Sequence, residues 1–338
     1  MNNFNCIQII GTQRSGSNLL RLMLNQMDEI VAPHPPHILV NFFPLLKKYG
    51  DLTVSNNFYN LLDDVCSYVE LNPVPWGNVV FDRKELISSC QDFSLIEIFR
   101  VIYEAKANHE NARYWCCKSM VNLKYHDFLE SSGIKPFYIY LYRDGRDVAL
   151  SFQKAIVGEK HIYNLANKWR SDQLSALKIC ESLPKNRQMS ICYESLIHNP
   201  EKTIKTLCNK LEIPFQKDYL QFYTSSESKN TSDSGEMWKN VKKPVMKHNF
   251  NKYKTEMSRE DLYIFESIAG DALVSLGYSL ENNMAGLSKS FTGEDVEKFN
   301  LINNNLKADA QLMASKKDIE KRNGQVEFLN QRQKLHSF

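Results

Sequence analysis

Four short apolar runs, CIQIIG (6–11), RYWCCKS (113–119), PFYIYLYR (136–143) and QMSICYE (188–194), are separated by longer amphipathic stretches. The runs are continuous rather than alternating, which predicts strands covered on both faces and hence a central parallel sheet flanked by helices. In open sheets of this kind ligands bind beyond the carboxyl ends of the strands. Chemistry is therefore to be sought just after each run. Between Asn41 and Asn111 the periodicity is mainly helical, broken by NPVPWG (72–77), whose prolines and glycine force a loop expected to contact a substrate. From Lys229 to Tyr253 the chain is polar, rich in Lys and Asn and weakly periodic, which predicts a long ordered loop or lid. After LGYSLENN (276–283) the composition shifts to Asn, Lys, Gln and Glu. Residues 293–334 then carry Val296, Phe299, Ile302, Leu306, Leu312, Met313 and Ile319 at roughly helical spacing. The expected organisation is one domain over 1–283 and a polar helical C-terminal extension over 284–338, serving packing or self-association into a homo-oligomer. No internal repeat is evident.

Composition narrows the picture. A chain of 338 residues with 43% hydrophobic and 24% charged positions builds one large α/β domain or two ordinary ones. The net charge is only +3, which argues against general attraction to nucleic acid or an anionic membrane, so any anion site must be local. No run approaches the roughly 20 apolar residues of a spanning helix, and MNNFNCIQIIG lacks a basic leader and a cleavage motif. A cytoplasmic location is expected. The eight cysteines are scattered without a CxxC pair or a histidine at ligand spacing, which reads as free thiols acting as small hydrophobes.

The stretch IQIIGTQRSGSNLLRLML (7–24) reads as strand, glycine-bracketed turn and helix. Such a turn presents unpaired backbone N–H groups and a positive dipole end to an anion, usually phosphate. The spacing of Gly11 and Gly16 fits the G-x-x-x-x-G-K-[ST] pattern, but Ser17 stands where the lysine belongs and Asn18 where the magnesium-binding hydroxyl belongs. Arg14 supplies a cation inside the loop instead. Losing the metal ligand argues against Mg-nucleotide chemistry. A sulfuryl group carries less charge than a phosphoryl group, so its transfer can rely on fixed cationic side chains.

GTQRSGSNLLRLML resembles the 5′-phosphosulfate-binding loop of sulfotransferases that use 3′-phosphoadenosine 5′-phosphosulfate (PAPS), closest in style to the tyrosylprotein, carbohydrate and bacterial branches. The resemblance implies a P-loop NTPase-like fold, no metal, and donor contacts from Arg14, Ser15, Gly16, Ser17 and Asn18. A second motif follows in YIYLYRDGRDVALSF (138–152), where Arg143 ends a strand and Ser151 lies inside the next helix. Arg143 can hold phosphate bidentately and Ser151 can add a hydroxyl donor. The segment resembles the family's 3′-phosphate motif. Three weaker matches keep the same order. Lys118 in WCCKSMVNLKY resembles the strand-end lysine near the bridging oxygen, and Tyr193 in ICYESLIHNPEK resembles the tyrosine that approaches adenine. VKKPVMKHN (241–249) resembles a late basic loop, with Lys243 the better-aligned contact and Lys242 the alternative.

The acceptor hydroxyl must lose a proton, and EIVAPHPPHILVNFFPLL (29–46) has no carboxylate where the tyrosylprotein branch carries a glutamate pair. His34 falls in that place, and histidine suits general-base work near neutrality. His37 competes, because Pro35 and Pro36 favour polyproline II geometry, whose three-residue turn points both rings the same way about 9 Å apart. Phe42, Phe43, Leu45, Leu46, Val74, Trp76 and Phe81 would make the opening apolar. They favour a small hydrophobic alcohol, sterol, lipid or phenol as acceptor, with carbohydrate or protein tyrosine as the alternatives. A P-loop kinase and a non-catalytic nucleotide-binding protein are the competing classes.

Overall fold

Five strands form one sheet in the order β2-β3-β1-β4-β5: β1 Cys6–Ile10, β2 Ile30–Val31, β3 Tyr114–Cys117, β4 Phe137–Tyr142 and β5 Gln188–Cys192. The structure is a computed structural model and describes residues 5–282 and 291–334. Every pairing is parallel, with Ile7 opposite Cys116 on one side and Phe137 on the other. All four apolar runs are strands, and only the two-residue β2 was not anticipated. The expected class, a parallel sheet flanked by helices with a helical C-terminal extension, holds.

The continuous hydrophobicity of the strands follows from burial on both faces. Ile7, Ile9, Ile139 and Leu141 pack against the helices Ser17–Leu24 and Pro200–Leu211, while Ile10, Tyr138 and Tyr140 meet the helix Ile162–Ser182. Cys6, Trp115 and Cys117 join a further core with the helices Ser55–Glu70 and Leu95–His109. Burying a side chain of this size stabilises by about 1.5–3 kcal/mol, so an exposed face on these strands would cost much of the fold. The chain crosses from one side of β1 to the other between β3 and β4, which opens a crevice at the carboxyl edge.

Two expectations need correction. The 72–82 segment is a loop as predicted, but Val74, Trp76 and Phe81 are buried, and Phe42 and Leu45 are buried with them. Phe42, Leu45, Trp76 and Phe81 pack into the core around Trp115 and Tyr103, with Phe43 and Leu46 at its margin, because large aromatic rings are worth more there than on an opening. The polar stretch from Lys229 to Tyr253 is not one loop. It starts within the helix Ser226–Asp233, continues as the 3-10 helix Glu236–Lys242, and only then becomes irregular. Its apolar periodicity is weak because its buried face is made of hydroxyls. Ser225 caps the helix at Ser228 N, Ser228 donates to the Val241 carbonyl at 2.6 Å, and Ser234 donates to the Pro73 carbonyl at 2.9 Å.

The C-terminal extension folds back on the body. Helix Gly293–Leu312 begins with a Thr292/Asp295 capping box and packs Phe299 against His161 and Tyr163. Its buried Asn303 accepts hydrogen bonds from the backbone of Lys160 and His161 at 2.8 and 3.0 Å. Helix Lys316–Lys334 lies along Ser55–Glu70: Gln325 donates to the Tyr68 carbonyl, Phe328 meets the Tyr68 ring and Arg332 pairs with Asp64 at 2.6 Å. The expected boundary at 283/284 lies outside the described residues. Among those described, no helix is long and apolar enough to cross a membrane.

Candidate active site

The loop after β1 depends on left-handed backbone at Gly11 (φ 125°), Arg14 (φ 71°) and Gly16 (φ 89°). A Cβ on Gly16 would lie 2.4 Å from the Tyr193 ring, so glycine alone lets the tyrosine at the end of β5 close onto the loop. The helix Ser17–Leu24 then starts with no side-chain cap, which leaves its first amides and its positive dipole end facing outward. Thr12 ties the loop to the helix behind it, donating to Asp172 at 3.1 Å and accepting from Gln173 at 2.7 Å.

Each strand bordering the crevice contributes residues from the segment that follows it. Arg14, Gly16, Ser17 and Asn18 follow β1, Lys118 follows β3, Arg143 and Ser151 follow β4, and Tyr193 follows β5. All of them line one cavity of about 750 Å³, together with Lys243, His34 and His37. Ser15 is buried beneath the loop, and Lys242 is exposed and does not line the cavity. Four residues in and beneath this cavity have buried polar atoms with no hydrogen-bond partner: Ser15 Oγ, Asn18 Oδ1, Arg143 Nε and both ring nitrogens of His34. Leaving a buried polar group unpaired costs about 1–3 kcal/mol, so their gathering in one crevice marks a ligand site.

The two basic motifs meet here. Arg14 Nε donates to Ser151 Oγ at 3.1 Å, and Arg143 donates to the carbonyls of Arg14 and Asn249 at 3.2 and 3.0 Å. Arg143 is not a surface salt bridge. It is buried, its guanidinium stacks 4.5 Å from the Tyr193 centroid, and its contact with Asp147 is long at 3.4 Å. Asp144 instead pairs with Arg146 at 2.7 Å. Burial and the neighbouring Arg143 together lower the Arg14 pKa. Two guanidinium groups held this close favour an anion between them.

The histidines line the same cavity, near Lys118. His34 Nδ1 and Nε2 are sealed, its ring stands edge-on to Trp238 with centroids 4.8 Å apart, and its carbonyl accepts from Asn72 at 2.7 Å and Trp76 at 2.8 Å. The 72–77 loop thus clamps the histidine segment from behind rather than lining the cavity. His37 departs from the expected polyproline register, because its left-handed backbone (φ 62°) caps the helix Ile38–Phe42. Its Nδ1 shares a 2.7 Å hydrogen bond with Ser119 Oγ, which leaves Nε2 as its remaining nitrogen. Burial, then Lys118, holds both imidazoles neutral: His34 falls well below its usual pKa and His37 to about 3. Burial, with Arg21 and Arg14 nearby, brings the Lys118 pKa down to about 7.

Sequence patterns missed the residues that position these groups. Gln8, a polar side chain inside an apolar strand, donates to the carbonyls of Cys117 and Ser119 that flank Lys118, at 3.0 and 3.2 Å. Its polarity was the available signal. Arg21 occupies a buried place on the helix after the loop, where it bonds Ala32 O, Glu227 and Thr231 at 2.6–2.8 Å. It docks Ser226–Asp233 beside the cavity. Asn249 donates to the Tyr193 hydroxyl at 2.7 Å. Among the described residues no group of three His, Cys, Asp or Glu side chains is placed to hold a metal ion.

Fold and site define an α/β protein with a cationic anion cradle at the carboxyl edge of a parallel sheet. The profile of the sulfotransferase family matches residues 6–217, more than half of the chain, and the protein belongs to that family. The fold is shared with the sulfotransferase domain from the curacin biosynthetic pathway, at TM-score 0.58 and 21% identity over 83% of this chain and 100% of that one. It is also shared with the sulfotransferase domain of the Synechococcus PCC 7002 olefin synthase, at TM-score 0.52 and 19% identity over 80% and 96% of the two chains. No curated protein matches the sequence. The family match contains the loop, both histidines, Lys118, Arg143, Ser151 and Tyr193, whereas Trp238 and Lys243 lie beyond it.

Proposed function

We propose that the protein transfers a sulfuryl group from PAPS to the hydroxyl of a small hydrophobic acceptor and releases 3′-phosphoadenosine 5′-phosphate (PAP). The convergence of Arg14, Lys118, Arg143 and Tyr193 from four strand ends on one cavity, with unpaired buried polar atoms around it, carries this reading. The loop amides, Arg14 and Asn18 would hold the phosphosulfate, and Arg143 with Ser151 would hold the 3′-phosphate that distinguishes PAPS from adenylyl sulfate. Tyr193 would face the adenine and Lys243 would close over the nucleotide. This donor arrangement needs no metal. The acceptor reading now rests on Phe222, Met237, Trp238 and Val241, which line the same cavity, Trp238 against His34.

His34 is the proposed base. A neutral imidazole with unpaired nitrogens is ready to accept the acceptor's proton as its oxygen attacks sulfur. His37, tied to Ser119, would orient the acceptor. Lys118 and Arg14 would offset the charge that grows on the bridging oxygen as the sulfur–oxygen bond breaks. Calorimetric titration with PAP tests the donor half. Binding is expected to persist in EDTA, and Arg143→Ala is expected to weaken it by about 1.5–3 kcal/mol through lost charged hydrogen bonds. Label transfer from radiolabelled PAPS across a panel of sterols, phenols, long-chain alcohols and sugars tests the acceptor half. A chain that binds ATP only with magnesium, and not PAP, would be a kinase instead.

A further inference from the structure

The base proposed above is closed off. Both His34 ring nitrogens are buried without a well-formed hydrogen bond, the Asn72 side chain being close enough only to bear on the ring electrostatically, and the imidazole meets edge-on the ring of Trp238 of the 3-10 helix Glu236–Lys242. Trp238 is itself half-buried, and what covers it comes from the far end of the chain. The Arg322 guanidinium lies 5.0 Å over the Trp238 ring, and Arg322 also reaches Met237 Sδ and lines the cavity. The preceding Lys321 donates to the Asp233 carbonyl at 2.7 Å, so two successive residues clip this helix onto the segment that bears the tryptophan. Further along the same helix, Gln325, Phe328 and Arg332 fasten it to the helix Ser55–Glu70. The spacing 322, 325, 328 or 329, 332 is that of one helix face. That face spans the gap between the lid segment and the core.

We infer that Trp238, seated by Arg322 of the C-terminal helix, is a gate that keeps water from His34 until an acceptor takes its place. The inference rests on His34 being the base of a PAPS-dependent transfer. An indole edge over an imidazole is a poor hydrogen-bond partner, so an acceptor hydroxyl that reaches His34 Nδ1 or Nε2 gains a bond the closed state lacks. A cation over the indole face contributes about 0.5–2 kcal/mol, enough to bias a small side-chain rearrangement without preventing it. Closure matters because water competes with the acceptor. In the side reaction a water oxygen attacks the sulfur, its proton passes to His34, and the bond from sulfur to the bridging oxygen breaks to give sulfate and PAP. Trp238 and Arg322 are therefore positioning residues, and both lie beyond the segment matched by the family profile.

The experiment follows release of labelled sulfate from PAPS without any acceptor, beside calorimetric PAP affinity, using full-length protein. Trp238→Ala and Arg322→Ala are each expected to raise acceptor-free hydrolysis at least about tenfold, within the range of a general base newly exposed to water. PAP affinity should change by less than about twofold in either variant, since neither residue belongs to the donor cradle. Arg322→Lys keeps a cation over the indole and should retain most of the suppression. In the Trp238→Ala background, His34→Ala should remove the gain. Unchanged hydrolysis in both alanine variants with intact PAP binding would overturn the gate, as would a gain that survives His34→Ala. If wild type fails to bind PAP at all, the donor assignment falls first and the gate falls with it.

Discussion

Under the proposed function, Lys118 is the residue whose charge state is expected to respond to the donor. Burial and the neighbouring Arg21 and Arg14 lower its pKa to about 7, so near neutrality the free protein carries it half protonated. An anionic donor favours the ammonium form and raises that pKa on binding. Affinity for PAPS is therefore insensitive to this group below pH 7 and falls as pH rises above it, until the pKa of the complex is reached. Lys118→Arg stays charged throughout, and calorimetric titrations across pH 6–9 are expected to lose that decline. The two histidines titrate on the other side. A base acts only when neutral, and burial depresses His34 well below its usual value and His37 to about 3. The acid limb of kcat/KM is thus expected well below pH 6.5 rather than at it. His34→Ala should lower kcat by about 10²–10⁴-fold, the usual contribution of a general base, whereas His37→Ala should act mainly on acceptor KM.

At the scale of elements, the candidate site is a product of strand ends. A parallel sheet directs the carboxyl ends of β1, β3, β4 and β5 to one edge, so the segments that follow three of them bring Arg14, Lys118 and Arg143 into one cavity beside Tyr193. The loop is the tightest part of this arrangement. Gly16 combines left-handed backbone with a Cβ site blocked by the Tyr193 ring, so Gly16→Ala meets both strain and a clash. A loss of about 1–3 kcal/mol in thermal stability is expected, with PAP binding reduced further because Tyr193 must withdraw. Differential scanning fluorimetry with and without PAP separates the two effects. The segment after Ser225 makes the opposite point: a helix can be held by serine and threonine hydroxyls and by a buried arginine, without an apolar stripe.

At the scale of the molecule, the C-terminal helices fold back and pack on the body. Asn303 is the clearest anchor, satisfying two backbone amides at the start of the helix Ile162–Ser182. Asn303→Ala leaves those amides buried and unpaired, and thermal or urea unfolding is expected to show a loss of about 1–3 kcal/mol. The sheet, its central loop and the two basic motifs were legible along the chain because each is local. A continuous apolar run specifies a doubly covered strand, a glycine bracket specifies a turn, and an arginine at a strand end sits where the topology exposes it. Phe42, Trp76 and Phe81 were misplaced because a large aromatic residue reads alike in a core and on an opening, and only packing around Trp115 separates the two. The role of Trp238 could not be read from its neighbours in sequence, since its meaning comes from His34 and Arg322, distant in sequence on either side. By itself the sequence determined the strands, the glycine-bracketed loop and the family, all set by short-range pattern. Which histidine lies under which ring, and how the tail closes over it, was decided only by tertiary structure, because those contacts join segments that no periodicity connects.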